Sequence, residues 1–353
     1  YIWEKKVERK ELMKKTLKKL GVALSLMACV GLMTGCGGQK DDTDADAVST
    51  DKTYTIGINQ FADHGSLDNC REGFIEGLRQ AGFEEGKNVE FEYTNANADS
   101  GIANQIAQSH VSNGVDLICA IATPSAQASY NAAEPKGIPV IYTAISDPVE
   151  AGLATADSKS GMAVTGTSDL LPLDEQVAMI RQLMPEAKTI GVLYNTGEAN
   201  SVSNIARLEE IVKDYNFTLV TKGVSASADI PMAADAILNE VDCLTNLTDN
   251  MVVTSLGLIL DKANAKGIPV FGSEFEQVKL GCAAAANIDY YELGVMTGKM
   301  AADVLNGTDI TTIPYETITD NDIVVNSEVL ANFGLTVPED MAVTEAADVT
   351  NEA

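Results

Sequence analysis

Tryptophan, histidine and positive charge are all scarce in this chain. The single tryptophan is Trp3, near the N-terminus, and aromatic residues make up 5% of the 353. So low a fraction argues against a sugar site built from stacked rings. The two histidines, His64 and His110, are too few and too separated for a metal site; His110 reads as an outward-facing helix residue, and no cofactor is implied. Lys and Arg total 24 against 51 Asp and Glu, a formal charge of −27, which excludes nucleic acid as a natural partner. Such an acidic surface mainly keeps a protein soluble. There is no Cys-x-x-Cys, so Cys70, Cys119, Cys243 and Cys282 read as small buried hydrophobes. Neither a Gly-x-Ser-x-Gly nucleophile turn nor a His-Glu-x-x-His zinc helix occurs. The run from Gly294 to Lys299 is one residue short of a phosphate loop and falls inside a helical pattern. The chain is read as a binder, not an enzyme.

The N-terminus is the one basic region. Met13-Lys14-Lys15-Thr16-Leu17-Lys18-Lys19 precedes an apolar run at 20–33, of signal-peptide length and short for a membrane span. It ends Leu32-Met33-Thr34-Gly35-Cys36, which resembles a bacterial lipobox. The expectation is a protein outside the cytoplasm, anchored to the cell membrane by lipid on Cys36. Residues 1–12 read as sequence upstream of the true start. The polar stretch 37–53, without apolar periodicity, reads as a disordered tether.

The body says one thing twice. Residues 115–140 read VDLICAIATPSAQASYNAAEPKGIPV and 241–270 read VDCLTNLTDNMVVTSLGLILDKANAKGIPV. Each is an apolar run, a polar turn opening a helix, and then Lys-Gly-Ile-Pro-Val, with Asp116 and Asp242 at matching places. Strands are expected at 54–58, 89–93, 117–121, 138–142, 189–194, 218–221, 241–244 and 269–272, with helices between them. The helix at 123 opens Thr-Pro, a cap followed by a first-turn proline. This alternation implies parallel sheets with right-handed crossovers. The predicted fold is α/β, with two similar doubly wound parallel-sheet lobes joined by a multi-crossover hinge. Lobe I is expected at 54–164 plus 283–312, lobe II at 165–282 plus 313–338, and a C-terminal tail at 339–353.

Five motifs carry a resemblance. They are Gln60-Phe61-Ala62-Asp63-His64-Gly65-Ser66-Leu67-Asp68, Ala122-Thr123-Pro124-Ser125-Ala126-Gln127, Ser146-Asp147-Pro148, Tyr194-Asn195-Thr196-Gly197-Glu198-Ala199-Asn200-Ser201 and Leu247-Thr248-Asp249-Asn250. Through them the body at 54–338 resembles ABC-transporter substrate-binding proteins of the type I periplasmic-binding fold. More narrowly, it is similar to the family that includes tryptophan- and tyrosine-binding lipoproteins. The resemblance implies a receptor that captures a small molecule, favouring an aromatic amino acid, by hinge closure; nothing in the sequence points to an oligomer, and a monomer is expected. It would deliver that ligand to an ABC permease and its ATPase. The same fold also serves sugar or nucleoside binding, and a ligand sensor feeding a membrane signalling protein.

The motifs lie where strands end and helices begin, the usual ligand edge of open α/β sheets. Helix starts offer unpaired N–H groups to a carboxylate, Thr123 with Ser125 in one lobe and Asn200 with Ser201 in the other. An ammonium group needs acceptors, and Asp147, Glu198 and Asp249 with Asn250 are candidates. Asp249 with Asn250 is the first choice, a cap on the helix beginning near Met251 being the alternative. Gln60, Phe61 and His64 come from the first loop; Asn195 and Glu274 complete the candidate set. Phe61, Tyr142, Tyr194 and Phe275 are candidate aromatic walls, or core residues.

Overall fold

The computed structural model describes residues 52–155, 161–319 and 321–349. The leader, Cys36 and the tether as far as residue 51 lie outside these residues. The α/β expectation holds. In the first lobe, β1 (Tyr54–Gln60), β2 (Val89–Asn95), β3 (Leu117–Ile121), β4 (Val140–Thr143) and β5 (Val164–Ser168) run parallel in the order β2-β1-β3-β4-β5. Helices α1 (Gly65–Gln80), α2 (Ser100–Asn113) and α3 (Thr123–Ala133) connect the first four of them. β3 is buried at all five positions, which is why it reads as an unbroken apolar run.

The chain then enters the second lobe through α4 (Leu173–Leu183). There β6 (Thr189–Asn195), β7 (Thr218–Val224), β8 (Cys243–Thr245) and β9 (Val270–Phe271) form a parallel sheet in the order β7-β6-β8-β9. Its helices are α5 (Ala199–Asp214), α6 (Ile230–Ile237), α7 (Asn250–Thr254), α8 (Leu256–Lys266) and α9 (Phe275–Leu280). The helix expected between the strands at 241–244 and 269–272 is thus two, broken at Ser255.

The repeat is physical. Asp116 accepts from the backbone N of Thr55 at 2.8 Å, at the start of β1. Asp242 accepts from Lys188 and Thr189 N at 2.7 and 2.9 Å, at the start of β6. Gly137 and Gly267, in the two Lys-Gly-Ile-Pro-Val segments, both take φ near +67°, at 66° and 68°, and let the following Ile N reach back to Ala133 and Ala263.

The lobe boundaries differ from expectation. The alanine-rich strand β10 (Ala284–Asn287) stays in the second lobe: Ala283 N donates to Val270 O, and Gly272 N to Ala284 O. Only after Asn287 does the chain return, as α10 (Tyr290–Leu305), to pack on α1. β11 (Glu316–Thr317) adds a sixth strand to the first sheet beside β5, so residues 165–168 and 316–317 belong to the first lobe. The chain then crosses again to β12 (Asp322–Val325), antiparallel to β10, then α11 (Ser327–Asn332) and β13 (Thr344–Glu345).

Glycines set how α1 and α10 meet. A Cβ on Gly73 or Gly77 would lie 2.1–2.2 Å from the carbonyl oxygen of Tyr291 or Val295. One on Gly294 or Gly298 would lie 2.3 or 2.2 Å from that of Cys70 or Phe74. The glycines of the phosphate-loop-like run therefore let two backbones touch. This crossing brings the first turns of both helices to the space between the lobes. His110 departs from expectation: it is 2% exposed, packed over Gly57. The four cysteines are buried and free. No helix among the described residues is long and apolar enough to cross a membrane, and none of their His, Cys, Asp and Glu side chains cluster as a metal site.

Candidate functional site

A cavity lies between the lobes. The first lobe lines it with His64, Ser66 and Leu67 before and within the first turn of α1, with Ala122 and Ala144 after β3 and β4, and with Ser146. Asp169, just beyond β5, and Tyr290, the first residue of α10, complete that wall. The second lobe contributes Asn200, Thr248, Asn250, Val253 and Gln277. The lobes touch around it: Ser146 Oγ is 3.4 Å from Thr248 Oγ1, His64 Nε2 is 3.4 Å from Asn250 Oδ1, and Asn69 Nδ2 donates to Glu276 Oε1 at 3.2 Å. The cavity measures ≈ 20 Å³, room for one or two waters, so a larger ligand enters only when the lobes part.

Three polar atoms in this wall are buried without a partner: Asp169 Oδ1, Asn200 Oδ1 and His64 Nδ1. Asp169 is oriented by Tyr290, whose hydroxyl donates to Oδ2 at 2.5 Å. Burial raises the Asp169 carboxyl to about 6. Asn200 Nδ2 donates to Thr248 O at 3.2 Å, which leaves its oxygen for the cavity. Two acceptors, one from each lobe, therefore meet no protein donor within hydrogen-bond distance, although the Ser146 hydroxyl helps to hold the Asp169 charge. Unpartnered buried groups are uncommon and costly, so these await one. The backbone is strained beside them. Ala122 has φ 78° and ψ 154°, and Ala144 has φ 57°, conformations costly for a residue with a Cβ.

Residues 55–350 match the model of the ABC transporter substrate binding protein family. The chain belongs to that family. It is 38% identical over 320 residues to the tyrosine-binding protein of Clostridioides difficile strain R20291, covering 90% of this chain and 92% of the relative. The structure of an ABC domain in complex with L-Trp from Streptococcus pneumonia superposes with a TM-score of 0.79 at 31% identity, covering 82% of this chain and 97% of that one. A ligand-free, open substrate-binding protein with adhesive properties from Clostridium difficile scores 0.63 at 37% identity, covering 83% and 99%. The neighbour more similar in sequence is less similar in shape, which fits lobes that are closed here. The type I periplasmic-binding architecture is confirmed.

Within this substrate-binding protein, three of the thirteen candidate ligand residues line the cavity: His64, Asn200 and Asn250. Asp249 does not. Its Oδ1 caps α7 by accepting from Val252 N at 2.9 Å, and its Oδ2 accepts from Asn195 N at 2.5 Å and Ser201 Oγ at 2.6 Å. Both oxygens are engaged by protein donors, and the side chain lies outside the cavity wall. Glu198 is likewise taken up, by Asn195, Asn250 and Met251. Burial raises both carboxyls, and the Asp249 charge raises Glu198 further. Glu274 caps α9 through Glu276 and Gln277 N, and burial raises it to about 7.

The remaining candidates also serve the frame. Gln60 bonds Ala62, Asp68 and Arg71; Ser125 donates to Asn59; Asp147 accepts from Val149 and Glu150 N to form its own turn. Thr123 is buried behind Ala122 with its hydroxyl unpartnered, outside the wall. Phe61 is core, and none of Phe61, Tyr142, Tyr194 and Phe275 reaches the cavity. Tyr290 is the aromatic side chain that does, together with the His64 imidazole. Ser66, Leu67, Ala122, Ser146 and Thr248 sit inside the family motifs, so the motifs found the loops better than the individual residues. Asp169 and Tyr290 lie outside every motif.

Proposed function

We propose that this substrate-binding protein captures an aromatic amino acid and delivers it to an ABC importer. The supporting observation is the pair of unpartnered acceptors, Asp169 Oδ1 and Asn200 Oδ1, one on each lobe of a closed cavity. A primary ammonium carries three donors and a charge that both oxygens favour. The first turns of α1 and α5, which carry Ser66 and Asn200 into the cavity wall, offer N–H groups and partial positive charge to the carboxylate. Leu67, Ala122, Ala144 and Val253 supply apolar surface for the side chain. The relatives named for tyrosine and bound to L-Trp support an aromatic ligand. Tyr290 and His64 are the rings in the wall, which gives a sugar little aromatic surface to stack on.

The protein works outside the cytoplasm, as ABC substrate-binding proteins do. The basic leader and the run ending at Cys36 support a lipid anchor there, and the partners are a permease and its ATPase. The lobes part to admit ligand and close on it, in hinge motion through the three crossovers. The test is a thermal-shift and calorimetric panel of all standard amino acids, several sugars and nucleosides. Tyrosine or tryptophan raising the melt is the expected result. A flat amino-acid panel with a shift from a sugar or nucleoside would overturn the ligand assignment.

A further inference from the structure

A chain of hydrogen bonds crosses from the second lobe to the first and fixes which way round each group sits. It begins at Glu198. Its Oε2 accepts from Asn250 N at 3.2 Å and Asn250 Nδ2 at 2.6 Å; its Oε1 accepts from Met251 N at 3.3 Å and Asn195 Nδ2 at 3.2 Å. Four donors converge on one carboxylate, so Asn250 turns its amide NH₂ to Glu198. Its amide oxygen then points across the cleft, 3.4 Å from His64 Nε2. An amide oxygen only accepts, so Nε2 carries the ring proton. Burial lowers the His64 pKa, favouring the neutral ring with a single proton. Nδ1 is therefore a bare lone pair, buried in the cavity wall with no donor to meet it.

We propose that His64 Nδ1 reads a hydrogen-bond donor on the ligand's side chain, the phenol O–H of tyrosine or the indole N–H of tryptophan, and so selects these over phenylalanine. The proposal rests on the reading that the ligand is an aromatic amino acid. Asp169 and Asn200 cannot make that distinction, because all three amino acids present the same ammonium. Of the three unpartnered atoms in the wall, Nδ1 is the one left for the side chain. A site with a buried acceptor rejects an analogue lacking the donor far more strongly than an apolar pocket rejects a missing methylene. The reader is complete only in the closed form, because Asn250 belongs to the other lobe. Closure thus assembles the test that the side chain must pass.

The experiment is calorimetry at about pH 8, above the value of about 7 to which burial raises Glu198, with L-tyrosine, L-tryptophan and L-phenylalanine, on the wild-type protein and His64→Leu. Wild type is expected to bind tyrosine at least about tenfold tighter than phenylalanine, and His64→Leu to bring the ratio close to one, whatever loss of the contact with Asn250 takes from all three affinities alike. An unchanged ratio in the variant, or no preference in wild type, overturns the proposal and leaves the aromatic-ligand reading standing. Wild type binding none of the three overturns both. Should His64→Leu fold poorly, ¹⁵N spectra of the wild-type histidine rings decide. The chain has two histidines, so the signals are few. The unprotonated Nδ1 signal of His64 should move far more with tyrosine than with phenylalanine. A proton on Nδ1, or equal movement with both, overturns the assignment.

Discussion

Tyr290 donates a 2.5 Å hydrogen bond to Asp169, and the two residues stand at two different crossings between the lobes. Asp169 follows the last strand before the first crossing, and Tyr290 opens the helix that follows the second. The bond holds one carboxylate oxygen and leaves the other facing the cavity. Hinge and binding site therefore share a side chain, and occupying the free oxygen acts on the segment about which the lobes turn.

Asp169→Asn should weaken amino-acid binding by about 2 kcal/mol or more, since the amide removes the charge that the ammonium meets. Calorimetry with tyrosine measures it directly. Retained affinity would show that the ammonium lies elsewhere.

Acidity should move the stability due to buried carboxyls, and ligand binding, in opposite directions. Burial raises Asp169 to about 6 and Glu274 to about 7, above their ordinary carboxylate values, so each holds its proton more tightly when folded. The stability they contribute is fully present below the ordinary carboxylate range and is lost as pH rises through 6 and 7. This contribution favours about pH 5.5 over about pH 8 in the ligand-free protein, while buried His64 and His110, whose values are lowered, oppose it; Glu274→Gln should remove its own part and so shift the melt difference toward pH 8. An ammonium ligand prefers ionised Asp169, so affinity should fall as pH drops below about 6. In Asp169→Asn that fall should flatten.

Asp249→Ala should act on stability. It loses the α7 cap and the tie to Asn195 and Ser201, at about 2–3 kcal/mol together. Denaturant melts should show the loss, with ligand affinity of the folded fraction reduced much less than in Asp169→Asn. The opposite ranking would restore Asp249 to the ligand.

Gly294→Ala should cost about 3 kcal/mol, at the upper end of overpacking penalties, because its Cβ would meet the Cys70 carbonyl at 2.3 Å with backbone on both sides. Ligand affinity should fall as well, since the same helices carry Ser66, Leu67 and Tyr290 to the cavity. A neutral melt would mean the helices can separate freely.

Cys36→Ala should leave ligand binding intact and release the protein from membranes. A variant still found in the membrane fraction would refute the lipid anchor.

Most of the fold was legible because buried parallel strands leave apolar runs and the chain repeats one. The repeated Asp116 and Asp242 turned out to do the same work in each lobe. β5 was not legible. Its Val-Thr-Gly-Thr-Ser is fully buried but polar, because Thr165 bonds Ile313 O and Thr167 bonds the hydroxyls of Thr143 and Thr297. Hydropathy sees a loop there, and Asp169, the residue immediately after it, was missed with it. Asp249 shows the other limit. A carboxylate before a helix looks identical in sequence whether it caps or binds, and only the positions of Asn195 N and Ser201 decide. Ala284–Asn287 looked like a return to the first lobe, since nothing in four small residues says which sheet they will join.

The glycine-mediated crossing also dictates an order of assembly. α1 is among the first helices of the body to be made, but α10, the surface it packs on, follows nearly all of the second lobe in sequence. Pairing of such remote segments is slow, because the chain between them must first be brought to heel entropically. The first lobe therefore stays unfinished until most of the chain has been synthesised, because the backbone that α1 packs on is made after nearly all of the second lobe.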